Sequence, residues 1–216
     1  MAAAGVWAWQ SPVFRVQAVD VRGNVAVPAE VIRERAGLVG KSMFTADLDR
    51  TQRDLYEIAL LRSVRIERQW PDRIVIEVRE REPWTTWEQA GTQYMVDREG
   101  VVLGHGAVAA GAPVIVSADA YSLQPGDRVD YQAIEAAADI YAQLPARLGT
   151  TVVEVAYLPG QGVRVTTADG QVALFGDSSA ISYKLAVWAA VAAEARRQGL
   201  SYSLIDLRYG NRPVLQ

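Results

Sequence analysis

The chain has 216 residues, half of them hydrophobic, with a formal net charge of −3. It has no cysteine, which excludes disulfides, thiolate metal sites and a Cys nucleophile, and its single histidine, His105, excludes His-rich metal sites and paired-His acid–base chemistry. A duplex nucleic-acid binder normally carries a clear basic excess, so this charge balance argues against that class, and the length suits one large or two small domains.

The first residues, MAAAGVWAWQSPVF, lack the basic start of a signal peptide and fall short of the roughly 20 residues a spanning helix needs. Trp7 and Trp9 look like an interfacial aromatic belt, so residues 1–12 are expected to be the outer end of a transmembrane helix or a membrane-proximal segment. The alternative is an ordinary apolar tail. Residues 14–22 alternate as a strand and lead to a Gly23-Asn24 turn. Pro28-Ala29-Glu30 then opens a helix with Val27, Val31 and Ile32 on its apolar side, ended by Gly37 or Gly40. Asp47 is a good N-cap for a second helix, whose buried stripe is Leu48, Thr51, Leu55, Ile58 and Ala59. Residues 63–69 and 73–80 alternate at period two around a Trp70-Pro71-Asp72 corner, with Ile74, Ile76 and Val78 on one face. The order is β-α-α-β-β, a three-stranded sheet with two helices on one side.

Past Glu82-Pro83 the pattern changes. Short strands are expected at 84–89, 93–96, 101–103 and 113–116, with a turn at Asp97–Gly100 and a loose loop at Gly104–Gly111. Residues 130–144 read as a helix with Ile134, Ala138 and Tyr141 on one side. Residues 151–157, 162–167 and 171–175 read as a meander whose second turn is Asp169-Gly170. Gly176–Ser179 should cap a long helix over 180–198 with Ile181, Leu185, Trp188 and Ala192 as its core stripe, and 201–209 should be a last strand. That strand either lies at a sheet edge, open to strand addition by a partner, or pairs on both sides.

Catalytic chemistry finds little support. Glu77, Glu80 and Glu82 alternate with Arg79 and Arg81, as solvated cross-strand charges do, whereas a catalytic pair needs a cleft and a desolvated member. Asp97 fits a turn residue that accepts backbone hydrogen bonds, and Asp206 fits a carboxylate paired with a neighbouring cation or backbone donor. His105 has no companion for a metal site, and no helix start follows Gly104-His105-Gly106 to make a phosphate loop. The basic residues between Arg62 and Arg81 are interleaved with glutamates, which cancels the field a nucleic acid would need.

The ordered set Val19-Asp20-Val21-Arg22-Gly23-Asn24, Val27-Pro28, Gly40-Lys41-Ser42-Met43-Phe44, Arg68-Gln69-Trp70-Pro71 and Ile74–Pro83 resembles the POTRA domain of the bacterial division proteins FtsQ and DivIB. Tyr94–Asp97, Gly100–Val102, Pro113–Ile115, Lys184 and Ile205–Arg208 are similar to that family's β-domain. The resemblance implies an α+β fold. A POTRA domain over 13–82 is followed by a β-domain over 83–216, with a mostly antiparallel sheet and two helices. It also implies a non-enzymatic scaffold of the divisome, without cofactor, metal, small-molecule substrate or nucleic acid. Such a protein is held in the cytoplasmic membrane by one N-terminal helix (a single-pass, type II topology), with the bulk of the chain outside and at the septum. The implied partners are FtsB/DivIC and FtsL, with further divisome contacts through the POTRA domain. The last strands would receive a partner strand, with Leu207, Arg208, Tyr209, Gly210 and Asn211 as contact residues. The rivals are a POTRA-type transport or assembly chaperone, which would need a barrel or further repeats, and a cell-wall-processing enzyme, which would need a carboxylate pair in a cleft.

Overall fold

A computed structural model describes residues 12–209 and 213–215. The expected membrane-proximal segment, including Trp7 and Trp9, lies outside the described residues except for Pro12. Among the described residues no helix is long and apolar enough to cross a membrane. The chain divides into two compact units between Glu82 and Pro83.

The N-terminal unit starts with a 3₁₀ turn, Pro12–Phe14, followed by β1 (Ala18–Arg22), α1 (Ala29–Ala36), α2 (Leu48–Tyr56), β2 (Leu61–Gln69) and β3 (Arg73–Glu80). The β-α-α-β-β order is the expected one, although the regular part of β1 is shorter than 14–22. The sheet order is β1-β3-β2, with β1 and β3 parallel and β2 and β3 antiparallel. Helix signals act where the sequence places them. Asp47 accepts the Arg50 N–H at 2.9 Å, and Gly37 closes α1 in the left-handed conformation, donating to the Arg33 carbonyl. Ile32, Leu38, Met43, Leu55, Ile74 and Ile76 form the fully buried centre. Val75 is also buried although it alternates to the other face. Strand β3 is central, and Asp20 and Glu67 stand opposite Val75 on both sides.

One glutamate of the charged run does more than solvate a strand. Glu80 ends β3 and accepts three backbone N–H groups from the loop between β1 and α1: Val25 at 2.8 Å and Val27 at 3.0 Å on Oε1, and Ala26 at 2.8 Å on Oε2. Partial burial raises its pKa, but the three donors outweigh that and hold it below the ordinary value of 4.5. The run therefore contains a structural clamp that ties a solvated loop to the sheet.

The C-terminal unit contains β4 (Thr85–Gln89), β5 (Thr92–Val96), β6 (Val102–His105), β7 (Val114–Ser117), α3 (Tyr131–Leu148), β8 (Val152–Leu158), β9 (Gly162–Thr167), β10 (Val172–Gly176), α4 (Ile181–Gln198), β11 (Leu204–Asp206) and β12 (Val214–Leu215). These strands form one nine-stranded sheet in the order β12-β11-β10-β9-β8-β7-β4-β5-β6. The pairings β4–β7, β7–β8 and β10–β11 are parallel and the other five antiparallel, as a mixed, mostly antiparallel sheet. Parallel neighbours need a crossover, and α3 supplies it between β7 and β8, α4 between β10 and β11. Trp87, Tyr94, Ile115, Ile134, Phe175, Leu185 and Trp188 are among the residues that fill the core.

Four expectations change. The first helix of this unit runs through Pro145 to Leu148. Near a helix end a proline forfeits one hydrogen bond, while Leu144 and Leu148 prolong the apolar stripe up to the left-handed Gly149. Its buried side centres on Ala133, Ile134, Ala137 and Ile140, with Ala138 only half-buried. Residues Gly104 and His105 belong to β6 and not to a loop. The His105 ring lies 5.1 Å from that of Tyr94, its partner in register. The last strand keeps only three ladder residues and has a neighbour on each side, so the sheet edge is β12.

Replacing Glu80 with Gln puts an amide NH₂ where one oxygen received an N–H. At pH 7 this should destabilise the N-terminal unit by about 1–3 kcal/mol. A lowered folded-state pKa means that the contribution is complete above 4.5 and is lost as pH falls through the folded value. Hydrogen exchange at the Val25–Val27 amides should show faster opening in the variant at pH 7 and a difference that shrinks as the pH falls below 4.5. Equal protection at pH 7, or a gap that widens in acid, would refute the clamp.

Candidate functional site

At one end of the nine-stranded sheet, successive strands contribute Tyr157 from β8, Gly162 from β9, Gly176 from β10 and the segment after β11. Together with Asp130, the N-cap of α3, they line a groove of about 500 Å³ that reaches Arg208 and Tyr209. The Tyr157 hydroxyl donates to Asp130 Oδ2 at 2.6 Å, and burial followed by this carboxylate pushes its pKa up.

Two glycines make the floor possible. Gly162 has φ +85°, and a Cβ there would stand 2.0 Å from the Gly176 carbonyl oxygen. Gly176 has φ +72°, and a Cβ there would stand 3.1 Å from Arg208 Cγ. At Gly162 only a residue without a side chain lets the start of β9 approach the end of β10 this closely, and at Gly176 a side chain would crowd the Arg208 stem.

The turn after β10 is fixed by a buried cation. Lys184, 5% exposed, stands one turn into α4 among the stripe residues Ile181, Leu185 and Trp188. Its ammonium donates to the Phe175 carbonyl at 2.8 Å, the Asp177 carbonyl at 3.2 Å and Asp177 Oδ1 at 3.0 Å. Asp177 also accepts from the Ser179 hydroxyl and backbone N–H. The Ser179 hydroxyl and then Lys184 hold its carboxyl below the ordinary range. The expected side-chain cap at Gly176–Ser179 is therefore absent. The helix begins after Ala180, in the left-handed conformation at φ 52°, and these side chains pin the turn to Lys184 instead.

The segment after β11 carries the sequence-derived contact residues. Leu207 is 1% exposed, lies in the core and donates its N–H to the Leu174 carbonyl at 2.9 Å. Its side chain fastens the segment and has no surface to offer. Arg208 is paired as the Asp206 reading expected. Asp206 accepts the Arg208 backbone N–H at 3.0 Å, Nε at 3.0 Å and Nη2 at 2.6 Å, and this pairing lowers its pKa. Tyr209 is 65% exposed, with the Arg208 guanidinium carbon 5.5 Å from its ring centre. Gly210 and Asn211 lie outside the described residues. Beyond them β12 pairs Val214 with Asp206 and Leu215 with Ile205, and both of its residues are exposed.

Sequence reading missed Lys184 and Asp177 as a pair. The available signal was a lysine within an apolar helical stripe, since a buried ammonium must find acceptors. The proposed turn role of Asp97 holds: it accepts the N–H groups of Glu99 at 2.8 Å and Val101 at 2.9 Å. Among the described residues no cluster of three or more His, Asp or Glu stands ready to hold a metal ion.

The fold defines a two-part protein, a small three-stranded module followed by a domain built on a nine-stranded sheet. Family comparison agrees with that division. Residues 14–81 match the POTRA domain, FtsQ-type, and residues 85–208 match the C-terminal region of cell division protein FtsQ/DivIB. The chain is 30% identical over 197 residues to a cell division protein FtsQ of Chloroflexus aurantiacus, covering 90% of this chain and 71% of that one. It is also 30% identical over 221 residues to the protein of that name from Myxococcus fulvus, covering 98% and 76%. The chain belongs to the FtsQ/DivIB family of cell-division proteins.

Substituting Lys184 with Met keeps the buried stem but leaves the Phe175 and Asp177 oxygens without their cation. Stability of the C-terminal unit should fall by about 2–4 kcal/mol, read from urea unfolding followed by near-UV circular dichroism. An unchanged midpoint would remove Lys184 from its role in fixing the turn.

Proposed function

We propose that the protein is a non-enzymatic scaffold of the divisome that binds an FtsB/DivIC-type partner, and FtsL with it, at the β12 end of its large sheet. In this reading residues 13–82 are the POTRA domain and 83–216 the β-domain. Residues 1–12 lead from a single N-terminal membrane helix, with the bulk of the chain on the outer side of the cytoplasmic membrane at the septum. The POTRA domain takes further division proteins. Neither part needs a cofactor or a small-molecule substrate.

One observation carries the reading. Strand β12 is two residues long and exposed, and among the described residues no strand covers its outer side. An exposed strand edge offers backbone donors and acceptors in register, and strand addition uses them for affinity while neighbouring side chains set specificity. Tyr209, on the segment that follows β11, is a large amphipathic surface residue, the type enriched at interface centres. Arg208 and the Gly210-Asn211 pair complete the proposed contact segment, with Leu207 as its inward anchor. Family membership supports a division role of this kind.

Replacing Tyr209 with Ala should weaken binding to the FtsB/DivIC ectodomain by about 1–2 kcal/mol or more, measured by titration calorimetry, with the circular dichroism spectrum unchanged. Unaltered affinity would exclude this segment as the partner site.

A further inference from the structure

We propose that Asp206 and Arg208 form an internal clamp that presents Tyr209, so that Arg208 acts in partner binding as a positioning residue and not as a direct ion-pair donor to the partner. This rests on the assignment of the C-terminal segment as the partner surface.

The guanidinium fork is already engaged. Its Nε lies 3.0 and 3.2 Å from the two Asp206 oxygens and its Nη2 lies 2.6 Å from Oδ2, a two-pronged arrangement within two residues of chain. Asp206 is 8% exposed. Drawing Arg208 away toward a partner carboxylate would leave that oxygen pair with the Arg208 backbone N–H at 3.0 Å. Stranding a mostly buried carboxylate in this way is costly, which keeps the arginine on its own chain. The pair is close to neutral as a unit, so it provides little long-range attraction for an acidic segment.

The clamp is built into its surroundings at both ends. The Arg208 stem lies against Gly176, where even a methyl group would crowd Cγ, and Gly176 belongs to the turn that Lys184 holds. On the outer side the guanidinium carbon sits 5.5 Å from the Tyr209 ring centre, within cation–π range. Asp206 itself is in register with Val214 of β12. The same pair thus reaches the Tyr209 ring through Arg208 and includes, in Asp206, the residue in register with the edge strand.

The two roles for Arg208 predict opposite results for its neighbour. Binding of the full chain to the FtsB/DivIC ectodomain is measured by calorimetry for wild type, Asp206→Asn, Arg208→Lys, Arg208→Ala and Tyr209→Ala. The clamp predicts that Asp206→Asn and Arg208→Ala each weaken binding about tenfold. Arg208→Lys should lose as much as Arg208→Ala, because an ammonium cannot reproduce the fork. The double variant D206N/R208A should be no weaker than either single one. A direct ion pair predicts instead that Asp206→Asn leaves binding unchanged or tighter and that Arg208→Lys retains most of it. Either outcome, with Tyr209→Ala still weakened, overturns the clamp and leaves the surface assignment standing. If Asp206→Asn fails to fold, the Lys-against-Ala comparison at Arg208 decides alone. Unchanged affinity in both Arg208→Ala and Tyr209→Ala overturns the clamp and the surface together.

Discussion

The large sheet has one broad apolar face to bury, and two helices must cover it. Both are rich in alanine: Ala133, Ala136 and Ala137 of α3, and Ala192 and Ala195 of α4, are buried. Small side chains let the helix backbones approach the sheet, and Trp87, Phe175 and Trp188 supply the bulk that fills the remaining space. The covering helices are also the crossovers that make β7–β8 and β10–β11 parallel. To enter α4 after β10 the chain must turn sharply, and it does so at Gly176 with Lys184 gripping the carbonyls on either side. The geometry of the proposed partner surface is therefore a consequence of how the core is closed.

The same topology decides which strands face outward. Returning through α4 places β11 beside β10, and Ile205 and Leu207 then enter the core. The short β12 is left as the margin at one side of the sheet and β6 at the other. A margin made of two exposed residues buries little apolar surface within the chain and leaves a backbone edge of the kind that strand addition uses.

Much of this was legible in local pattern. The β-α-α-β-β order, Asp47 and Gly37 at helix ends, and the Ile181, Leu185, Trp188, Ala192 stripe all follow from periodicity and capping, which act over a few residues. Asp206 with Arg208 was half legible, since residues two apart on a strand share a face. What could not be read depended on distant chain segments. Nothing near Glu80 signals that it will receive the Val25–Val27 amides, and nothing near Gly162 signals that the Gly176 carbonyl will pass 2.0 Å from where its Cβ would be. The helix end expected at 144 moved for a related reason: a proline at 145 disfavours continuation locally, and the buried Leu144 with the half-buried Leu148 carries the helix on. Strand order lies beyond alternation altogether, so the edge position of β12 emerged only with the fold.

The most direct test of the account is amide hydrogen exchange of the full chain with and without the FtsB/DivIC ectodomain. Strand addition at the β12 margin predicts that partner binding slows exchange at Val214 and Leu215, while the opposite margin at Val102–His105 is unaffected. Protection that appears at β6 or in the β1–β3 module, with Val214 and Leu215 unchanged, would contradict it.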